Sequence, residues 1–253
     1  MKDYDVELVD KWLVPEDLRA VIAMPNIPRP LHLVNPRNLL GATTWNHMRR
    51  ACYAKADMTC EICGKKQEPG HCDAHEIYDI DYKKGTATFV KVVCLCRTCH
   101  RLGIHTGRCV TLHKEGNPLM PKEALLEGAE NAFTIISSYN QAHLDAPLRA
   151  YATWLEYLKC EDLKAPMEEL IKKYDIKFYM EKTKRMAKWA DWELIIGSKH
   201  YKTPYANQKE WEEAMKNQGK RDNTRKAEDK FVGGVYDDLD KILKENIDTS
   251  INE

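Results

Sequence analysis

The spacing of apolar residues divides this chain into a strand-forming middle and helical flanks. Asp73–Asp81 and Thr86–Val93 are short runs rich in Ile, Tyr, Val and Thr. They are separated by Tyr82-Lys83-Lys84-Gly85, whose glycine supplies a turn, so the pair predicts a β-hairpin. Upstream, Trp45, Met48, Cys52 and Tyr53 fall on the buried side of a helix predicted over Thr44–Lys55. Downstream of the hairpin, Thr98 is placed to cap a short helix whose length Gly103 and Gly107 limit.

From Lys122 onward the spacing is helical: Leu148, Tyr151, Leu155 and Leu158 follow it, and Met167–Tyr174 repeats it after Pro166. One β-hairpin interrupts the helices. Trp192, Leu194 and Ile196 alternate up to Gly197-Ser198, and Tyr201 and Thr203 carry the return strand. Asn207 with Glu210 resembles a capping box and starts a helix predicted through Met215. Asn217–Lys230 is almost wholly polar and reads as a mobile linker, followed by a short helix, Val235–Leu243, with Leu239, Ile242 and Leu243 as its apolar stripe.

Near the other end, Pro15, Pro25, Pro28, Pro30 and Pro36 remove backbone donors and restrict their neighbours. Met24–Arg37 is therefore predicted to be extended and irregular, wrapping the next domain. The pattern as a whole predicts an α+β protein in four parts. These are an extended N-terminal segment (1–44), a cysteine-rich module built on the first hairpin (45–115), a helical region with a β-hairpin near 192–203 (116–216), and a charged linker with a terminal helix (217–253).

Composition narrows the class. Of 253 residues, 31% are charged and 43% apolar, as in folded globular proteins rather than disordered or membrane chains. No apolar run approaches the roughly 20 residues of a membrane span. The start, Met-Lys-Asp-Tyr-Asp-Val-Glu, has no apolar signal core, so a cytoplasmic location is expected. The net charge of zero is an average: Trp45–Lys114 carries twelve Lys/Arg against seven Asp/Glu. That local excess is the electrostatic footprint that a polyanion requires. Arg49, Arg50, Lys65, Lys66, Lys83, Lys84, Arg97, Arg101 and Arg108 are the candidate phosphate contacts, with Lys83 and Lys84 placed at a hairpin tip.

Four of the nine cysteines form two pairs, Cys60-x-x-Cys63 and Cys96-x-x-Cys99, framing the hairpin. In a reducing compartment this spacing favours a metal thiolate centre over disulfides. One structural Zn²⁺ per chain, held by all four sulfurs with no open position for water, is the expected cofactor. Cys94 offers a competing thiol, but only Cys96 has the two-residue spacing to Cys99, so Cys94 is expected to be a buried small apolar residue. Between and after the pairs lie His75, Glu76, His100 and His105, the residue types of a hydrolytic metal site. His71, His113, His143 and His200 have no partner spacing and read as ordinary.

Cys60-Glu-Ile-Cys63-Gly, Ala74-His75-Glu76-Ile77-Tyr78 and Cys96-Arg-Thr-Cys99-His100-Arg-Leu-Gly-Ile-His105 together resemble the zinc-containing phage and bacterial branch of the HNH, or His-Me finger, endonucleases. The likeness covers Trp45 to Lys114, and its cysteine framework is the most specific part. It implies a zinc-stapled ββα-metal unit in which a strand histidine activates water and the following helix binds one divalent ion, Mg²⁺, Mn²⁺ or Ni²⁺. Carried over, His75 is the general base, and His100 and His105 are ligands of that ion. Ala74 stands where many members have a ligand, which leaves two registers. Either His75 is the base and the neighbouring ligand is missing, or His75 is the ligand and Glu76 the base. Adjacent strand residues face opposite ways, so His75 and Glu76 share one site only across a bulge, whereas Asp73 faces the same side as His75 and can supply the carboxylate. The family's central asparagine has no counterpart; Thr86 or Thr88 holds that part of the hairpin.

The resemblance implies an endonuclease acting on DNA, or on RNA, in a host cytoplasm. The alternative is a catalytically inactive zinc module that binds nucleic acid, a host protein or a ribonucleoprotein, as an anti-defence or host-takeover factor would.

Overall fold

The computed structural model describes residues 6–9, 11–12, 14, 17–23, 26–142, 154, 157–181 and 186–221. In chain order its elements are β1 (Val6–Val9), β2 (Lys11–Trp12), α1 (Pro36–Lys55), β3 (Cys72–Asp81), β4 (Thr86–Cys96), a π-helical segment (Thr98–Ile104), α2 (Thr106–Lys114), α3 (Lys122–Ala142), α4 (Glu161–Lys173), β5 (Phe178–Glu181), β6 (Glu193–Ile196), β7 (Lys199–Lys202) and α5 (Gln208–Arg221). The fold is mixed α+β, and no described helix is long and apolar enough to cross a membrane.

The predicted hairpin forms the spine. β3 and β4 pair antiparallel from Cys72↔Cys96 to Asp81↔Thr86, with a register shift between Ile77 and Tyr78. A five-stranded sheet grows around them in the order β2-β3-β4-β6-β7. β2 meets β3 only at Trp12↔Ile80 and Lys11↔Asp81, so the outer edge of β3 before Ile80 has no strand beside it among the described residues. β1 and β5 form a separate parallel pair.

The hairpin predicted near 192–203 forms, but it does not belong to a helical region of its own. β6 runs parallel to β4 at Thr86–Thr88 and so extends the central sheet. Its inward residues Trp192, Leu194 and Ile196 share an apolar cluster with Tyr78, Ile80, Phe89, Trp12 and Met48. The opposite side of the hairpin buries Ile77, Val93 and Leu95 against Ile104, Phe133, Trp154, Leu163 and Met167. These two cores hold the hairpin from both faces.

The N-terminal segment is more structured than its prolines suggest. α1 begins at Pro36, eight residues before the predicted Thr44, because the Asn35 side chain caps it by accepting from Asn38 N–H (3.0 Å) and proline suits the first helical position. Gly41, with φ 76°, kinks the helix three residues before the predicted start. Before α1, the 3₁₀ turn Leu18–Ala23 packs on the π-helical segment and α3, while Thr203 Oγ1 donates to Pro30 O. The segment thus wraps the sheet from two sides.

Asn207 caps α5 as predicted: its Oδ1 accepts from Glu210 N–H (3.1 Å), and the Glu210 carboxylate accepts in turn from Ala206 N–H (2.8 Å). The helix continues to Arg221, into the stretch predicted as linker. Pro15, Pro25, Leu148, Tyr151, Leu155, residues 222–230 and the helix predicted over Val235–Leu243 lie outside the described residues.

Two glycines clamp the π-helical segment. A Cβ on Gly103 would lie 2.5 Å from Ile22 Cδ1, and one on Gly128 would lie 2.3 Å from Leu102 Cβ. Inside a helix such as α3, Gly→Ala ordinarily stabilises by about 1 kcal/mol. Here Leu102 Cβ cannot rotate away, so Gly128→Ala is expected to destabilise by about 1–3 kcal/mol instead. Denaturant midpoints check the sign; an unchanged or raised midpoint would contradict this close crossing.

Candidate metal centre

The two C-x-x-C turns come from different elements and meet at one end of the hairpin. In the first, Gly64 N–H donates to Cys60 O (2.8 Å) and Cys60 N–H to Lys65 O (3.0 Å), which closes a tight knuckle. Glu61 fastens that knuckle to β4: its N–H donates to Cys94 O (2.9 Å), and its carboxylate accepts from Cys94 N–H (2.6 Å). In the second turn, Cys99 N–H donates to Cys96 Sγ (3.4 Å). The four sulfurs of Cys60, Cys63, Cys96 and Cys99 lie within 4.8 Å of one another, as one metal ion requires.

Hydrogen bonds from Cys96 and Cys99 hold the Cys60 thiol well below its ordinary range, while the same contacts raise Cys96 to about 11 and Cys99 further. Four thiolates this close do not coexist without a cation. Cys94 is fully buried and outside the cluster, and desolvation raises its pKa, as expected of an inert thiol.

A second cluster includes the residue after Cys99. His75, His100 and His105 each present a ring nitrogen within 4.8 Å of the others. Their convergence depends on the π-helical segment. In an α-helix, residues five apart point about 140° away from each other. Here His105 N–H donates to His100 O (3.1 Å), a wider i→i+5 turn that brings both rings to one side. Thr98 does not cap this segment; Arg97 precedes it in αR conformation without a side-chain cap, and the Cys96 sulfur takes the Cys99 N–H instead.

Within the cluster, His100 Nε2 lies 3.2 Å from His105 Nε2, with ring centroids 4.7 Å apart. The His75 ring is further, 5.3 Å from His100 and 5.6 Å from His105. Asp73 Oδ2 lies 3.0 Å from His100 Nδ1 and 3.5 Å from Arg101 Nε. The His100 hydrogen bond, ahead of the nearby arginines, holds the Asp73 carboxyl below its usual range. Ionised Asp73 accepts, so His100 Nδ1 donates and its Nε2 is left to face His105.

This carboxylate–imidazole support is what a metal-ligating histidine has. Asp73→Asn is therefore expected to weaken Mn²⁺ or Ni²⁺ binding about 10–100-fold. Calorimetric titration of the zinc-loaded protein reads this out; unchanged affinity would separate Asp73 from the site.

The histidines border a cavity of about 950 Å³ that follows the open edge of β3 and takes its walls from α1, the π-helical segment and α2. Glu76 points to the opposite face of β3 from His75, and the register shift comes only after it, yet both line this cavity because it wraps the strand edge. Desolvation raises the Glu76 pKa, against the pull of Arg37 and His100.

Among the predicted phosphate contacts, Arg49, Arg101 and Arg108 line this cavity. Arg50 is exposed outside it, and Lys66 pairs with Asp57. Lys65 and Arg97 border a smaller cavity beside the cysteines. Lys83 and Lys84 sit at the far end of the hairpin, their backbone N–H groups bonded to Asp81 Oδ1.

No protein family, curated protein or solved structure matches this chain.

The cavity also holds groups that the sequence does not single out. Arg37 lines it, stacked 4.9 Å over the Trp45 ring. Asn26 donates from Nδ2 to Ile104 O (3.1 Å), while its buried Oδ1, like Arg49 Nε, has no hydrogen-bond partner among the described residues. Asn26 lies in a Pro-Asn-Ile-Pro stretch whose spacing carries no link to the histidines. His113, ordinary by its spacing, sits beside Cys160 and Asp162, and His200 pairs with Glu193 (3.2 Å); His143 lies outside the described residues.

Proposed function

We propose that this chain is a zinc-stapled, metal-dependent endonuclease of the HNH type, hydrolysing phosphodiester bonds in DNA. The observation that carries the reading is the convergence of His75, His100 and His105 in a cavity lined by Arg37, Arg49, Arg101 and Arg108. Cys60, Cys63, Cys96 and Cys99 hold the structural Zn²⁺. His100 and His105, whose Nε2 atoms are close enough for two ligands of one ion with metal–nitrogen bonds of about 2.0–2.1 Å, hold the divalent ion. When bound, that ion stabilises charge on the scissile phosphate and the leaving oxygen.

The chain's own groups do the rest. His75, set back from the other two rings, takes the proton of the attacking water. Asp73 keeps His100 in the tautomer that leaves Nε2 free. Arg49 and Arg108 bind flanking phosphates, and the buried Asn26 Oδ1 accepts from a hydroxyl or water entering the cavity.

Plasmid nicking by the purified protein, with Mg²⁺, Mn²⁺ and Ni²⁺ tried separately, tests the reading. Failure to cut with every ion, from protein holding one tightly bound zinc, would favour the non-catalytic binding module. Ala74, buried beside His75 and unable to bind a metal, is the observation on that side.

Nucleic-acid binding provides a separate check. Removing one phosphate-binding cation should lower the slope of log affinity against log salt by about one. Arg49→Ala and Arg108→Ala are expected to do so, and Lys83→Ala with Lys84→Ala to leave it unchanged. The reverse result would move the nucleic acid to the hairpin tip.

A further inference from the structure

A third group of metal-ligating side chains lies away from both clusters. His113 at the end of α2, Cys160 just before α4 and Asp162 in its first turn each offer one ligand atom, all within 4.8 Å of one another. His113 Nε2 lies 3.0 Å from Asp162 Oδ2, and Cys160 Sγ lies 3.0 Å from Asp162 Oδ1. The other ring nitrogen, Nδ1, lies 2.9 Å from Met120 O. A carbonyl can only accept, so Nδ1 donates. Ligating histidines are oriented in this way, by a carbonyl or carboxylate on the nitrogen that does not bind the ion. Cys160 is buried at 7% exposure, while the Asp162 side chain is 48% exposed, which leaves an entry path on the carboxylate side.

We propose that His113, Cys160 and Asp162 form a second metal-binding site, for a borderline-soft divalent ion of the Zn²⁺ or Co²⁺ class. One thiolate and one imidazole disfavour Mg²⁺ and Ca²⁺, which take all-oxygen sets, and three protein ligands leave the fourth tetrahedral position to water. Binding replaces the Cys160 thiol proton and any proton between His113 and Asp162, both released to solvent. The site ties the end of α2 to the start of α4 and, through Met120, holds the loop from which Asn117, Leu119 and Met120 form part of the cavity wall. The bound ion is thus a clip on one wall of the cavity. This assignment does not rest on the nuclease reading.

Cobalt discriminates the three clusters, because only thiolate ligands give the intense near-ultraviolet charge-transfer band. One equivalent of Co²⁺ is added to the full chain with its four-cysteine site already filled by Zn²⁺. A single-thiolate band is expected in the parent and in His100→Ala, which removes the histidine cluster, and its loss in Cys160→Ser and His113→Gln. Asp162→Asn, at an exposed position with little bearing on folding, is expected to weaken Co²⁺ binding about tenfold or more while the band persists at saturation. Absence of the band in His100→Ala, where the histidine cluster cannot compete for the ion, overturns the proposal. So does a band that survives Cys160→Ser, which would place the cobalt on Cys60, Cys63, Cys96 and Cys99.

Discussion

His75→Ala is expected to lower metal-dependent nicking by about two to four orders of magnitude, the usual worth of a positioned general base, with fold, zinc content and divalent-ion affinity close to the parent's. Its ring stands more than 5 Å from both others, centroid to centroid, while the His100 and His105 rings are closer together and one of them is backed by Asp73. The proposed function assigns the roles accordingly: the supported pair binds and the third ring accepts a proton. His100→Ala should therefore differ in kind, losing ion affinity and cutting together. Measuring both nicking rate and Mn²⁺ affinity for each variant separates the roles. Should His75→Ala cut as well as the parent while Glu76→Gln does not, the base is Glu76, whose desolvated carboxyl already binds its proton more tightly than usual. Equal loss of affinity in His75→Ala and His100→Ala would instead make all three histidines ligands.

The parts of this site legible in the sequence are those fixed by short-range spacing. One C-x-x-C pair alone is weak evidence, but two of them framing a hairpin point to a shared metal site, and the four sulfurs do converge. The hairpin is legible because Asp73–Asp81 and Thr86–Val93 are rich in strand-forming residues and Gly85 supplies the turn. The His100–His105 pairing is only half legible, since five residues is the wrong interval for one face of an α-helix. What brings the rings together is the π turn, held between Ile22 and α3 at Gly103 and Gly128, and neither packing partner is local.

The misplaced elements have the same origin. Lys83 and Lys84 do sit at a hairpin tip, but nothing local shows that the cavity lies at the opposite end of β3. The 192–203 hairpin is recognisable without its partner, because parallel pairing of β6 with β4 joins residues more than a hundred positions apart. Pro36 looks like a breaker beside its neighbouring prolines, whereas with Asn35 before it proline opens a helix. Asn26 is invisible for a related reason: a lone asparagine between prolines has chemistry but no spacing, and only the wrapping of the N-terminal segment carries it to Ile104.

Cys60→Ala is expected to release the zinc and unfold the module around it, whereas Cys94→Ala should cost about 1 kcal/mol and keep the metal. The comparison is controlled by the structure, because both cysteines are fully buried and only one belongs to the four-sulfur cluster. Loss of a small buried side chain is common to both variants, so the difference between them belongs to the ion. Structural zinc contributes apparent binding free energies of about 10–16 kcal/mol in isolated zinc-finger peptides, comparable with the whole stability of a domain at about 5–15 kcal/mol. Here the four sulfurs bring the knuckle before β3 to the start of the π-helical segment, so loss of an ion held between them would also free the turn that aligns His100 with His105. Zinc content by mass spectrometry and the thermal midpoint, measured on both variants, decide the point. A folded, metal-free Cys60→Ala protein melting with Cys94→Ala would show that the four thiols are packing rather than ligands. If the ion is the staple, Cys60→Ala must also lose divalent-ion binding at His100 and His105, without any change to those residues.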